Sequence, residues 1–385
     1  MKILGVFLLL VWAMAIVLSA LGSILVRKKF REYKSVRGTS RKNRRPITIL
    51  KPVRGITDEL KQSIYSFSSL DYSSQDELIF CVESPADPCY SFIRSFVNKF
   101  QGIIPVRLVV NGITQGGILN PKIRNIYKAF CSAKNDLVLI SDDDVQARFD
   151  YLDRLNEEFD GGILTAIILA RDPLTFSGQL EQMMMMSFYT KGLVLTEFLG
   201  HSCVMGKSMM FSKMEINHEC MLIAGEYLAE DYAFGDIARR LGLKIKFLSH
   251  PVDQRLSRLN FGDFWNRHIR WGRLRKYIAP WGFIVEPFIF SMIGSGLCGS
   301  LALKILEPNS IWLFLLCHCI FWITQEKSLT DGFKKASGAC IPTNPLAYLV
   351  TNLLHPFMWL DMAISNRTYW RGRTYKLKLG GKIKQ

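Results

Sequence analysis

Three adjacent aspartates, Asp142, Asp143 and Asp144, follow the apolar run DLVLIS in a chain whose formal net charge is +16. If DLVLIS is a strand its side chains alternate, so Asp142 and Asp144 point one way and Asp143 the other. Two carboxylates at that spacing suit a hard divalent cation, Mg2+ or Mn2+, that also bridges substrate phosphates. A solvated acidic turn, or a cap for a helix over DYLDRLNEEF, is the plainer reading of an isolated DxD.

Three further clusters keep that loop company. LNPKIRN (119–125) places Lys122 and Arg124 near a helix start, where backbone N–H groups and a cation can meet a diphosphate. In YLAEDYAFGDIARRLGL (227–243), Phe234, Ile237 and Leu241 recur at helical spacing, with Glu230 and Asp231 at the N-terminal end. The helix dipole would lower the pKa of those acids. Burial would raise it, toward the range in which a carboxylate takes a proton from an alcohol. NRHIRWGRLRKY (266–277) puts Arg267, Arg270, Trp271 and Leu274 on one helical face, a surface able to bind a leaving diphosphate or to lie on lipid.

The elements that must position these groups come next. ITILKPV (47–53), DELIFCV (76–82), PVRLVV (105–110) and DLVLISD (136–142) read as strands, with helices over SFIRSFVNKF (91–100) and IRNIYKAFCSA (123–133). The alternation predicts an α/β layered fold with a mainly parallel sheet over 46–280, and ligands in such sheets bind beyond the carboxyl ends of the strands. Met183–Met186 reads as adaptable packing.

The rest of the chain belongs to a membrane protein. The 385 residues are 49% hydrophobic yet strongly basic, which is unusual for a soluble protein. Residues 3–26 carry no charge over a length that spans a bilayer, and no cleavage motif of small residues follows them. Ten Lys or Arg against one Glu lie between Arg27 and Arg45, which places the 27–45 linker in the cytosol. Segments 281–303 and 311–324 look like a membrane hairpin. Residues 344–364 carry His355, Pro356 and Asp361 and read as re-entrant or interfacial, with the basic 367–385 tail cytosolic. Nine cysteines without a CxxC suggest reduced thiols, and the absence of helix-turn-helix or finger patterns argues against nucleic acid. Anionic lipid head groups are the simpler partner for the basic flanks.

Taken in order, these segments resemble the membrane-bound ceramide glucosyltransferases, and more broadly the inverting GT-A glycosyltransferases that include processive polysaccharide synthases. The resemblance rests on ILKPVRGITDEL, SLDYSSQDELIFCVESPADP, LNPKIRN, SDDDV, YLAEDY, RHIRW and the terminal YWRGRTYKLKLGG. It implies a cytosolic GT-A (Rossmann-like) domain, flanked by N- and C-terminal transmembrane helices, that transfers a sugar from a UDP-sugar to a lipid alcohol. It implies that Asp87, with Glu83 as a second candidate, contacts the nucleotide. Lys122 and Asp142 bind the donor, Asp142 and Asp144 hold the metal, Asp231 is the base, and Arg267, Arg270 and Trp271 form the (Q/R)xxRW element. UDP-glucose and ceramide are the implied substrates, with diacylglycerol, a hopanoid or a sterol as alternative acceptors. A processive synthase needs more spans. In a eukaryote the resemblance implies the Golgi membrane, in a bacterium the inner membrane.

Overall fold

The computed structural model describes residues 1–33, 44–102, 104–111, 117–256, 258–370 and 373–384. Residues 34–43 of the expected basic linker and Arg371 and Gly372 of the tail lie outside them. The chain divides into two compact units, Lys34–Ile168 with Ser202–Arg255, and Met1–Tyr33 with Leu169–His201 and Leu256–Gln385. The single stretch 46–280 expected for the catalytic domain is thus interrupted. Residues 169–201 and 256–280 pack within the unit that holds the terminal helices, because their apolar faces are covered there.

The first unit is built on a seven-stranded sheet. Strands β1 (Ile47–Val53), β2 (Glu77–Val82), β3 (Val106–Val110) and β4 (Leu137–Ser141) stand in the order β3-β2-β1-β4, all parallel. The strands Ser208–Ser212, Ile163–Thr165 and Ile245–Phe247 follow in that order, with Ser208–Ser212 antiparallel to both neighbours. β1, β2 and β4 are buried along their whole length, which is why they read as unbroken apolar runs. One face of the sheet is covered by helices Pro121–Cys131 and Glu230–Arg240, through Ile123, Ile126, Phe130, Phe234 and Ile237 against Ile79, Val138, Ile140 and Phe211. Each such side chain contributes about 1.5–3 kcal/mol on burial.

The connections explain where a ligand would bind. After β1 the chain moves outward through β2 to β3, then crosses back to place β4 on the other side of β1. Strand order therefore reverses between β1 and β4, the switch point at which open α/β sheets bind ligands. Pairing of β1 with β4 ends at Leu50 and Ile140. Pro52, which lacks an N–H for a second ladder, lies just past that point.

The second unit is helical. Helix Lys2–Lys29, 28 residues and so about 42 Å long, is the only single helix among the described residues long and apolar enough to cross a membrane. Its buried positions are mostly small, including Gly5, Ala15, Ser19, Gly22 and Ser23, and they let neighbouring helices approach closely. Segment 281–303 is not one straight helix. It forms helices Pro280–Ile289 and Met292–Leu306, bent by 74°, which together could make a second crossing or a re-entrant loop. The break follows Pro287, and Ser291 caps the second helix by accepting from Gly294 N–H at 3.1 Å. Residues 311–324 are the apolar start of a 27-residue helix, Ile311–Ser337, whose later turns carry Glu326, Asp331 and three lysines.

Candidate active site

The carboxyl edge of β1–β4 gathers the loops that begin at Arg54, Glu83, Asn111 and Asp142. Asp87 ties two of them together. Its Oδ1 accepts from Gly55 N–H at 2.8 Å and Cys89 N–H at 2.9 Å. Burial pushes its pKa up, but these backbone bonds and the Arg54 charge outweigh it and hold the carboxyl below its usual range. Glu83 is engaged by Arg124, whose Nε lies 2.8 Å from Oε1.

Lys122 is the centre of the site. It sits in the first turn of Pro121–Cys131, a helix that starts where Asn120 Oδ1 accepts from Lys122 N–H at 2.8 Å and Ile123 N–H at 3.1 Å. Those amides are taken by the cap. The expectation that they would meet a diphosphate is therefore corrected, while the Lys122 side chain reaches the aspartate loop and that of Arg124 reaches Glu83. Lys122 Nζ lies 2.6 Å from Asp142 Oδ1 and 2.9 Å from Glu230 Oε1, and it donates to Gly206 O at 2.7 Å. Burial opposes its charge, yet Asp142 and Glu230 more than compensate and push its pKa up.

The aspartate loop differs from the expected strand. β4 ends at Ser141, and Asp142–Asp144 form a turn before the short strand Val145–Gln146, so strand alternation does not order these side chains. Each outer aspartate has its own lysine instead, Asp142 with Lys122 and Asp144 with Lys207. Asp144 also accepts from Gln254 Nε2 at 2.8 Å. Lys51 supports the loop from below. Fully buried on β1, it donates to Asp142 O at 2.7 Å and lies 3.8 Å over the Phe67 ring. Burial lowers its pKa to about 7, against the pull of Asp143, Asp144 and Asp142.

Asp231 lies beside this network at the start of helix Glu230–Arg240. Its Oδ1 accepts from Tyr232 N–H at 2.8 Å and Oδ2 from Gly206 N–H at 3.4 Å. The backbone comes this close because residue 206 has no side chain. A Cβ there would stand 3.3 Å from Asp231 Oδ2 and 3.1 Å from Glu230 Oε1. The competition between dipole and burial resolves differently at the two acids. Glu230 is also buried, but Lys122 and Asn120 hold its pKa down. For Asp231 burial and the Glu230 charge prevail over Lys122 and raise the pKa to about 6. Paired groups pushed apart in this way mark acid and base roles.

Lys122 thus brings Asp142, Glu230 and, through Gly206, Asp231 into one cluster, while Asp144, Asp87 and Glu83 are held by partners of their own. Arg267, Arg270 and Trp271 belong to the other unit, on helix Phe261–Ile278. There they reach different neighbours. Arg267 Nη1 lies 2.9 Å from Glu181 Oε1, Arg270 stacks over Trp370 at 5.6 Å, and Trp271 meets Tyr189 and His268 edge to face. Glu181 is fully buried and also binds His268 Nε2 at 2.7 Å. Burial would raise its pKa, but His268 and Arg267 hold it at about 2. Glu181→Gln is expected to cost about 1.5–3 kcal/mol, the worth of a hydrogen bond to charged groups, and to appear as a lower unfolding temperature in detergent.

Sequence reasoning missed Lys51, Lys207, Gly206 and Gln254 as parts of the site. Only Lys51 carried a signal, since a lysine inside an apolar strand must be buried and therefore partnered.

The carboxylate oxygens of Asp142 and Asp144 are the donor type that Mg2+ or Mn2+ takes. Among the described residues no group of three or more His, Cys, Asp or Glu side chains forms a metal cage. An ion there would complete its shell from donor phosphates and water, which fits a metal that arrives with its nucleotide.

The sequence model of glycosyl transferase family 21 matches residues 7–383. Ceramide glucosyltransferase 1 of Caenorhabditis elegans is 29% identical over 345 residues, covering 88% of this chain and 73% of the relative. Ceramide glucosyltransferase 3 of the same organism is 29% identical over 344 residues, covering 88% and 74%. Among solved structures, a mannosyltransferase from Pyrobaculum calidifontis in complex with GDP-Man and Mn2+ aligns over 90% of this chain and 99% of its own, with a TM-score of 0.43 and 12% identity.

Proposed function

This chain belongs to glycosyl transferase family 21, and we propose that it moves glucose from UDP-glucose to the primary hydroxyl of ceramide, giving glucosylceramide with inversion at the anomeric carbon. The observation that carries the reading is Asp231, a carboxylate with its pKa raised to about 6, beside a lysine that bridges Asp142 and Glu230. A base of that pKa is ionised at neutral pH and still able to accept a proton.

Asp231 takes the proton of the lipid hydroxyl as its oxygen bonds to the anomeric carbon. The bond from that carbon to the phosphate oxygen breaks on the opposite face, and UDP leaves with the electron pair through an oxocarbenium-like state. Asp142 and Asp144 would hold Mg2+ or Mn2+, which when bound neutralises charge on the diphosphate. Lys122 and Lys207, which now balance those carboxylates, are placed to turn toward phosphate oxygens as the donor binds. Asp87 and Glu83 fix the loops that take the nucleotide. The resemblance assigns Arg267, Arg270 and Trp271 to the departing pyrophosphate, and the buried Glu181 keeps Arg267 in a defined position. Arg27, Lys28 and Lys29, in the last turn of helix Lys2–Lys29, support a cytosolic side for the residues that follow, beside anionic lipid.

Membranes holding the protein, given labelled UDP-glucose and ceramide with Mg2+, Mn2+ or EDTA, test the reading by separation of the lipid products. A glucosylceramide band lost with EDTA is expected. No band from folded, membrane-inserted protein sinks the assignment, and the same assay over diacylglycerol and sterols then identifies the acceptor. The pH profile gives a second check. Asp231 must be ionised to act, so kcat/KM should fall as pH drops through about 6.

A further inference from the structure

Helices Lys2–Lys29 and Ile311–Ser337 belong to one compact unit. Trp12 Nε1 donates to His318 Nδ1 at 3.2 Å near their starts, and Phe30 packs on Phe333 near their ends, so they run side by side in the same direction. Those ends are clamped together. Arg27 Nη1 donates to Ser328 Oγ at 3.4 Å, the Phe30 and Phe333 ring centroids are 4.8 Å apart, and Tyr33 N–H donates to Lys335 O at 3.1 Å. Gly332 lets the Arg27 stem lie across the second helix, since a Cβ there would stand 3.6 Å from Arg27 Cγ. A cavity of about 450 Å3, within the range of small-molecule sites, opens between these ends. Ile24, Arg27 and Lys28 line it from one face of the first helix, and Asp331 and Lys335, one turn apart, line it from the other.

The lining combines three cations, one carboxylate and an apolar wall. Among the described residues Lys28, Asp331 and Lys335 have no side-chain partner. Neighbouring Lys29 differs, because it pairs with Glu197 at 2.7 Å and does not line the cavity. Ile24 is 51% exposed and belongs to the uncharged run 3–26. In a bilayer the change from apolar to basic at Arg27 sets this end of the helix at head-group level. A free anion would engage the cations alone. A phospholipid engages all three features, with its acidic groups on the cations, a donor on Asp331 and an acyl chain along Ile24.

We propose that the cavity between the ends of helices Lys2–Lys29 and Ile311–Ser337 binds the head group of one anionic phospholipid that also carries an ammonium, as phosphatidylserine does. Arg27, Lys28 and Lys335 take its phosphate and carboxylate, Asp331 takes its ammonium, and an acyl chain runs along Ile24. The general attraction of a basic flank for anionic membrane needs no such arrangement. A bound lipid at four particular side chains does, and its binding is independent of which lipid receives the sugar.

The full-length protein in detergent, as wild type, Lys28→Gln, Lys335→Gln, Asp331→Asn and Lys334→Gln, would be titrated with phosphatidylserine, phosphatidate and phosphatidylcholine. Native mass spectrometry counts the bound lipids. All four substituted side chains are exposed, so the fold is kept. Lys334 is the control, next to Lys335 in the last turn of its helix but not lining the cavity. The wild type should hold one phosphatidylserine in preference to phosphatidylcholine. Lys28→Gln and Lys335→Gln should each weaken it about tenfold, the worth of a hydrogen bond to a charged group, while Lys334→Gln leaves it nearly unchanged. Asp331→Asn should act with opposite signs. It weakens phosphatidylserine, whose ammonium loses its partner, and tightens phosphatidate, which has no ammonium and is freed of a repelling charge. Equal loss in Lys334→Gln and the lining variants, or no loss in the lining variants, overturns the site and leaves summed charge alone. Tighter phosphatidylserine binding by Asp331→Asn overturns the ammonium assignment, and displacement by an equal concentration of inorganic phosphate makes the occupant a free anion and overturns the lipid.

Discussion

Asp231→Asn is expected to lower kcat by about 10²–10⁴-fold, the usual contribution of a positioned general base. KM for UDP-glucose should stay close to wild type. The amide oxygen of asparagine can still accept from Tyr232 N–H, so the start of helix Glu230–Arg240 is kept. Only the proton-accepting oxygen is lost. Asparagine also removes a negative charge next to Glu230, one of the causes of the raised pKa, so the substitution relieves repulsion and should leave the fold at least as stable. The acid limb near pH 6 should vanish from the residual activity. A variant that keeps wild-type kcat would remove Asp231 from the base role, and one that loses both kcat and donor binding would make it a structural residue.

That experiment separates Asp231 from Glu230, which residue spacing left equivalent and only the family resemblance told apart. Two acids at a helix start look alike as text, and what distinguishes them is which one a lysine reaches. Lys122 approaches from the helix after LNP and pairs with Glu230, so Glu230 stays a low-pKa anion and Asp231 is left to burial. The strands β1 to β4 were legible for a related reason. A parallel strand buried on both faces is mostly apolar, and short runs of β-branched and aromatic residues bounded by turns read as such strands. The carboxyl-edge loop at Asp142 followed from them, while Asp87 came from the family resemblance.

Other features depend on distances that spacing does not encode. Alternation failed at Asp142–Asp144 because β4 stops at Ser141 and the chain turns at once. The 74° bend after Pro287 was hidden because an apolar composition is the same for a straight helix and a broken one. The helical face of Arg267, Arg270 and Trp271 was read correctly as a face, but periodicity does not say what covers it. The buried Glu181 that holds Arg267 lies 86 residues away in sequence, in a stretch with no motif.

Lys122→Met should be the most damaging single change to the fold of the catalytic unit, because Lys122 balances two carboxylates at once. Methionine keeps the length and apolar stem but leaves Asp142 and Glu230 without their cation, and an unpaired buried charge costs about 3–5 kcal/mol. The unfolding temperature in detergent should fall accordingly. Lys122 is also the cation that lowers the Asp231 pKa, opposing burial and Glu230. Its removal should therefore move the acid limb of kcat/KM upward from about 6, so that the variant regains part of its activity in mildly alkaline buffer. The two readouts distinguish roles that a single loss of activity would merge. A stability loss with the limb unmoved makes Lys122 a structural bridge only. A shifted limb at unchanged KM for UDP-glucose makes it the group that tunes the base, and a raised KM adds direct contact with the donor.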